Sequence, residues 1–302
     1  MELPVRQREL RVDGMTISVS YVDAGHLQSN AALLLVHGLG GRWQHWLKVI
    51  PPLSQHRRVI AVDLPGFGET TLPWPTLTLP RIADVIARLL AELQVERVIF
   101  VGHSFGGPLA SIFAARHPRL TEQLVLAAGT VQSFQQTLSR ELRPWLLRPR
   151  SALATVAEVI GVALKLPTPA ARLVARSRLL RLLALWPFVH QPGRLTAEDA
   201  LLLIEGTGAP GVFPTTRGIA RAKGWENETI DVPVALVNGD HDLIAPLADL
   251  RSYRGRADHV IVIKQTGHLA MIERPEAFTA ALEGVIAGGV AFRLAPARAS
   301  LG

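Results

Sequence analysis

One segment limits the possible folds more than any other. Gly102-His103-Ser104-Phe105-Gly106-Gly107 stands between an apolar run, residues 97–101, and a stretch of helical length, residues 105–117, that Pro118 ends. A chain that passes from a buried strand into a helix in so few residues must turn sharply. Small residues at Gly102 and Gly106 answer that crowding, because side chains there would clash, and Ser104 is lifted to the crest of the turn. Its Oγ then stands above the strand ends. The helix that follows sets its positive dipole end and free N–H groups beside any anion that develops there. The same letters could also form a glycine-rich turn with a capping serine. The strand before and the helix after are what favour a nucleophile.

The surrounding text has the matching rhythm. Residues 32–36, Arg58–Val62 and 123–127 are short Val/Ile/Leu-rich runs, as expected of strands buried on both faces. Residues 81–93 place Ile82, Val85, Ile86, Leu89, Leu90 and Leu93 on a 3.6-residue period. Earlier, residues 9–12 and 16–22 alternate around Asp13-Gly14, a hairpin signal. This alternation predicts an α/β fold, a mostly parallel central sheet flanked by helices. From residue 131 to 224 it gives way to helical, Leu/Ala/Arg-rich text punctuated by eight prolines. It resumes with residues 232–237, His259–Ile263 and a last helix at 276–286. The expected organisation is a core domain over 1–130 and 225–290, an inserted helical cap over 131–224 and a frayed tail over 291–302. A chain of 302 residues suits one large core with an insertion.

Serine needs a base at neutral pH, and the chain offers 10 histidines. His268 stands apart from the rest. It follows the final strand, in Thr266-Gly267-His268-Leu269, where a loop at the carboxyl end of a parallel strand can meet Ser104. His37 and His103 flank the glycine turns and read as supporting residues, and His241 as a hydrogen-bonding neighbour of acids. The imidazole in turn needs a carboxylate to fix its tautomer. Asn238-Gly239-Asp240-His241-Asp242 supplies two, of which Asp242 is favoured and Asp240 suits turn formation. Val36-His37-Gly38-Leu39-Gly40-Gly41 ends an early strand, and Gly38 and Gly40 let backbone amides approach a substrate. The N–H groups of Leu39 and Phe105 are the expected oxyanion donors, each worth about 3–4 kcal/mol to a transition state. A phosphate cradle is disfavoured there, because neither G-x-G-x-x-G nor a G-K-[ST] ending is present.

Composition removes other chemistries. There is no cysteine, so disulfides, thiolate catalysis and Cys-based metal sites are excluded. No cofactor or metal is called for. The first ten residues hold no apolar core of a secretory signal, and no run is long enough for a membrane span, so a cytoplasmic protein is expected. The net charge of +7 is concentrated in residues 140–224, with 13 Lys/Arg against 5 Asp/Glu. On one helical wheel Arg172, Arg176, Arg178 and Arg181 spread over several faces. That favours a solvated surface over a membrane contact, and no nucleic-acid motif accompanies them. The expected partner is a small, apolar substrate.

Taken together, His37 to Gly41, Asp63-Leu64-Pro65-Gly66-Phe67-Gly68, the Ser104 turn, Gly239 to Pro246 and Gly267-His268 resemble the α/β-hydrolase superfamily. The likeness is to its helical-cap branch with a serine nucleophile, esterase- or lipase-like. It implies that 63–68 is a structural turn and that the insertion covers the crevice and selects substrate. Ser104 argues against the aspartate-nucleophile members that release halide or open epoxides. Carboxylic ester hydrolysis is the expected reaction. Carbon–carbon bond hydrolysis or perhydrolase-type haloperoxidase chemistry by the same triad is the alternative, and His103 stands where carbon–carbon hydrolases often carry Asn. A small-molecule receptor built on the same fold is a further class. Trp145, Trp186, Phe188 and Phe213 of the insertion are expected to line an apolar pocket.

Overall fold

A computed structural model describes residues 3–130, 132–138, 142–221, 230–253 and 257–288. Eight strands form one sheet: β1 (Val5–Val12), β2 (Met15–Ala24), β3 (Ala31–Val36), β4 (Arg58–Val62), β5 (Arg97–His103), β6 (Thr121–Ala127), β7 (Val234–Gly239) and β8 (His259–Ile263), in the order β1-β2-β4-β3-β5-β6-β7-β8. The pairs β1–β2 and β2–β4 are antiparallel. From β4 through β3 to β8 every pair is parallel. The hairpin forms where Asp13-Gly14 places it. Both turn residues have positive φ, 49° and 74°, which matches the right-handed twist of the flanking strands. One boundary shifts: β7 begins at Val234 and not at Val232. Pro233 has no N–H to give to a ladder, although its carbonyl accepts from Leu124 at 2.9 Å.

The central strands bury both faces, and their side chains alternate between two apolar layers. Leu34, Val36, Ile60, Val62 and Phe100 enter one layer with helices α2 (Leu79–Glu92) and α3 (Gly106–Arg116). Leu33, Leu35, Val59, Ala61 and Val101 enter the other, with α1 (Ile50–Ser54) and α13 (Pro275–Ile286). α2 starts where Thr78 Oγ1 accepts from the Arg81 N–H at 3.3 Å, with a proline in its first turn. Its inward face is the Ile82-to-Leu90 stripe.

Between β6 and β7 the α-helices among the described residues are α4 (Gln132–Leu138), α5 (Leu142–Leu147), α6 (Pro149–Ala163), α7 (Thr168–Arg176), α8 (Arg178–Leu185), α9 (Ala197–Glu205) and α10 (Val212–Arg221), and no strand lies among them. Prolines stand in the first turn of α6 and α7, where the missing N–H has no intrahelical acceptor to lose. α11 (Leu247–Tyr253) follows β7, and α12 (Ala270–Glu273) follows β8. The tail at 291–302, where fraying is expected, lies outside the described residues, as does 222–229, where the second part of the core is expected to begin.

Phe100 is fully buried and its ring lies 5.1 Å from that of Phe113. Phe100→Ala leaves a cavity in the middle of the sheet. It should cost about 3–5 kcal/mol in chemical denaturation, with the slope of the unfolding transition unchanged.

Candidate active site

Ser104 sits at φ 51°, in the left-handed region that residues with a side chain rarely adopt. The turn is held from both sides. The Ser104 N–H donates to the Ala127 carbonyl at 2.9 Å, and its own carbonyl accepts from Gly107 at 2.8 Å. A Cβ on Gly102 would lie 2.1 Å from the Gly106 oxygen, and one on Gly107 2.3 Å from the Gly129 oxygen. Only glycine lets strand and helix approach this closely.

His268 and Asp242 arrive from the two loops that follow β8 and β7. The His268 Nδ1–H donates to Asp242 Oδ2 at 2.9 Å, and both side chains are almost fully buried. The other carboxylate oxygen accepts from the backbone of Ile244 and Ala245 at 2.9 and 2.8 Å. Asp242 is thereby fixed in orientation before it meets the imidazole. Burial works against a charge on His268. The adjoining Asp242 carboxylate, with help from Glu158 and Glu273, outweighs it and holds the imidazole above its ordinary value. Nε2 is buried without a hydrogen-bond partner. It makes no bond to Ser104, but both residues line one cavity.

The flanking histidines are neutral struts. Leu64 N–H donates to His37 Nε2 at 3.0 Å, so the proton must lie on Nδ1, which donates to the Gly38 carbonyl at 2.8 Å. Burial pushes this imidazole down to about 4, which keeps it in that form at neutral pH. His37 thus ties the Gly38–Leu39–Gly40 loop to the 63–68 turn. Asp63 braces that turn by accepting from Trp43 and Glu69 N–H groups at 2.7 and 3.1 Å. Gly68 is required there, since a Cβ would fall 2.1 Å from the Asp63 carboxylate. His103 Nε2–H donates to the His268 carbonyl at 2.9 Å, and burial holds its ring well below the ordinary value. The N–H groups of Leu39 and Phe105 donate to no acceptor among the described residues. His241 pairs with Asp240 at 2.7 Å, away from His268, and Asp240 closes the loop by accepting from Thr266 at 3.2 Å.

The cavity measures about 160 Å³ and is lined mainly by apolar groups, among them Leu39, Val162, Leu185, Phe188 and Leu269. A dry cavity of similar size accommodates a ring such as benzene. Of the four aromatic residues expected here only Phe188 is a lining group. Trp145 and Phe213 are 43% and 66% exposed, and Trp186 packs half-buried against the core. Apolar composition does not say which side of a short helix faces inward.

Two lining residues carry no motif. His45 is buried, and burial pushes its imidazole down to about 3. Glu158, on α6, is 2% exposed, and its Oε2 has no partner. Burial pushes its carboxyl up to about 7. The available signal is a stripe: Ser151, Thr155, Glu158 and Val162 recur at helical spacing and are all buried.

The family of the alpha/beta hydrolase fold matches residues 31–275. The chain belongs to that family. It is 37% identical over 134 residues to a 2-hydroxy-6-oxo-2,4-heptadienoate hydrolase of Pseudomonas putida, a match that covers 43% of this chain and 47% of that protein. The chain thus spans less than half the length of this relative. Among solved structures, a thermophilic esterase from Thermogutta terrifontis superposes with a TM-score of 0.69 at 20% identity, covering 94% of this chain and 98% of that one. A variant of the meta-cleavage product hydrolase CumD gives 0.66 at 22% identity, covering 93% and 98%.

An ionised Glu158 favours the charged form of His268. Removing that charge in Glu158→Gln should lower the His268 pKa. The imidazole would then stay neutral to more acidic pH, moving its NMR titration midpoint downward. An unmoved midpoint would show that Glu158 does not reach His268 electrostatically.

Proposed function

We propose that this protein is a cofactor-independent serine hydrolase acting on a carboxylic ester with an apolar acyl or alcohol part. One observation carries the reading. A buried carboxylate–imidazole pair ends in an unpartnered Nε2, on the same cavity as a serine held at the crest of a strained turn.

In this mechanism Ser104 Oγ attacks the ester carbonyl carbon as its proton passes to His268 Nε2. The carbonyl oxygen becomes an oxyanion held by the Leu39 and Phe105 N–H groups. The imidazolium is stabilised by Asp242, which remains ionised. Collapse of the tetrahedral adduct breaks the bond to the alcohol oxygen, which takes the proton from His268. Water then gives a proton to His268, attacks the acyl-enzyme, and releases the acid as Ser104 regains its hydrogen. The His37 and His103 struts hold the oxyanion loop and the base while this happens. The apolar lining excludes water and strengthens each of these interactions.

A second reading is supported by the Pseudomonas putida relative, whose name describes hydrolysis of a dienoate. The same three residues would then cleave a carbon–carbon bond. Product analysis separates the two: an acid and an alcohol, or an acid and a second fragment joined before cleavage through carbon.

Ser104→Ala should abolish turnover of a chromogenic ester panel while the protein stays folded, and substantial residual rate would overturn the nucleophile. Asp242→Asn presents the wrong tautomer of His268. It should lower kcat by about 10³–10⁴-fold, on the scale of orienting acids elsewhere. The best acyl length in the same panel measures the cavity.

A further inference from the structure

The helices between β6 and β7 carry an outer surface of unusual character. Of 18 large apolar side chains exposed across the described residues, 13 lie between Leu142 and Phe213. Scattered exposed leucines are ordinary, but a concentration of this kind is not. It is densest around α7 and α8, where Leu164, Leu173, Leu179 and Leu183 are 58%, 62%, 64% and 66% exposed. Lys165, Arg172, Arg176 and Arg178 are exposed among them. No Asp or Glu occurs between Glu158 and Glu198.

The single-wheel reading of these arginines fails for a structural reason. α7 and α8 are separate helices, broken at Ser177, whose ψ of 119° is extended and whose Oγ caps α8. Arg181 is buried and donates to the Ala175 and Pro192 carbonyls, so it leaves the surface set. Ala171 and Ala175 of α7, and Arg181 and Leu185 of α8, turn inward. That leaves Arg172, Leu173 and Arg176 outward on one helix, and Arg178, Leu179, Leu182 and Leu183 on the next. The surface is also continuous with the site. Leu164 and Leu166 are 58% and 39% exposed and yet line the cavity that holds Ser104.

We propose that this basic, leucine-rich face docks on an anionic phospholipid surface and admits ester substrate from the lipid directly into the cavity. Admission of substrate rests on the hydrolase reading, whereas docking does not. No helix among the described residues is long and apolar enough to cross a membrane. The contact is therefore interfacial, with leucines entering the acyl boundary and bases meeting the headgroups. A second copy of the chain suits the face less well, because a two-fold contact sets the same arginines against one another.

The test is flotation of the full chain with vesicles of phosphatidylcholine, alone or mixed with an equal part of phosphatidylglycerol. Partition should be at least about tenfold stronger onto the mixed vesicles and should fall as salt is raised. The combined variant Leu173→Ser, Leu179→Ser, Leu183→Ser changes no cavity-lining residue. It should lose about tenfold or more of that partition while hydrolysing a short, soluble ester as the native protein does. Absence of partition, or equal partition of native and variant, overturns the proposal. So does a native dimer that the same substitutions dissociate and that does not float. Ser104→Ala should float like the native protein, so a failure of the hydrolase reading remains distinguishable from a failure of docking.

Discussion

The close approach of backbone at the β5–α3 turn is the constraint on which the rest depends. Gly102, Gly106 and Gly107 bring strand, helix and the loop after β6 together without intervening side chains. Ser104 accepts a left-handed conformation as the cost. Strain of this kind amounts to about 1–3 kcal/mol and persists only where the surroundings over-determine it. Here the sheet supplies that control. β5 lies between β3 and β6, and the turn is bonded to Ala127 at the end of β6. The Gly38–Leu39–Gly40 loop follows β3 and packs on the same turn, where a Cβ on Gly38 would meet Ser104 Cβ at 2.8 Å. Ser104 and the Gly38–Leu39–Gly40 loop are therefore positioned by one piece of close packing.

Burial then acts on the imidazoles according to what each one faces. His37 and His103 are enclosed without a carboxylate partner and are driven neutral, so each can donate to a carbonyl with its tautomer fixed by its neighbours. His268 is equally enclosed but faces Asp242, and the carboxylate reverses the effect of burial. Three similar rings in one region thus shift in opposite directions, down for His37 and His103 and up for His268, which alone of the three has carboxylates beside it. Breaking a buried pair by removing one side costs about 3–5 kcal/mol in other proteins, since the remaining charge is left uncompensated. The bonds from Ile244 and Ala245 to Asp242 Oδ1 reduce that exposure to loss by satisfying the second carboxylate oxygen.

The inserted helices have two opposed surfaces. Inward, α6 brings Glu158 and Val162 to the cavity, and α8 brings Leu185. Outward, α7 and α8 present leucines among bases. A buried carboxyl with an unpartnered oxygen beside a raised imidazole is costly to maintain in an apolar site. Its position adds a carboxyl to a mainly apolar pocket whose other polar lining side chains, besides Ser104 and His268, are His45, His103 and Thr207.

The order of strands and helices was legible in the amino-acid sequence because it depends on local rules: period-2 and period-3.6 apolar spacing, Asp13-Gly14 at a hairpin, glycines where backbone must turn. Ser104, His268 and Asp242 could be named for a related reason. Each stands just past a strand, and parallel strands deliver their carboxyl ends to one edge of a sheet. Distances, tautomers and protonation were not legible, because they arise between segments far apart in the chain, as Asp242 does to His268 and His103 to the His268 carbonyl. The same limit hid Glu158 and misplaced Trp145 and Phe213. The spacing of a helix shows that it has two faces, and only packing against the rest of the molecule decides which one is inside.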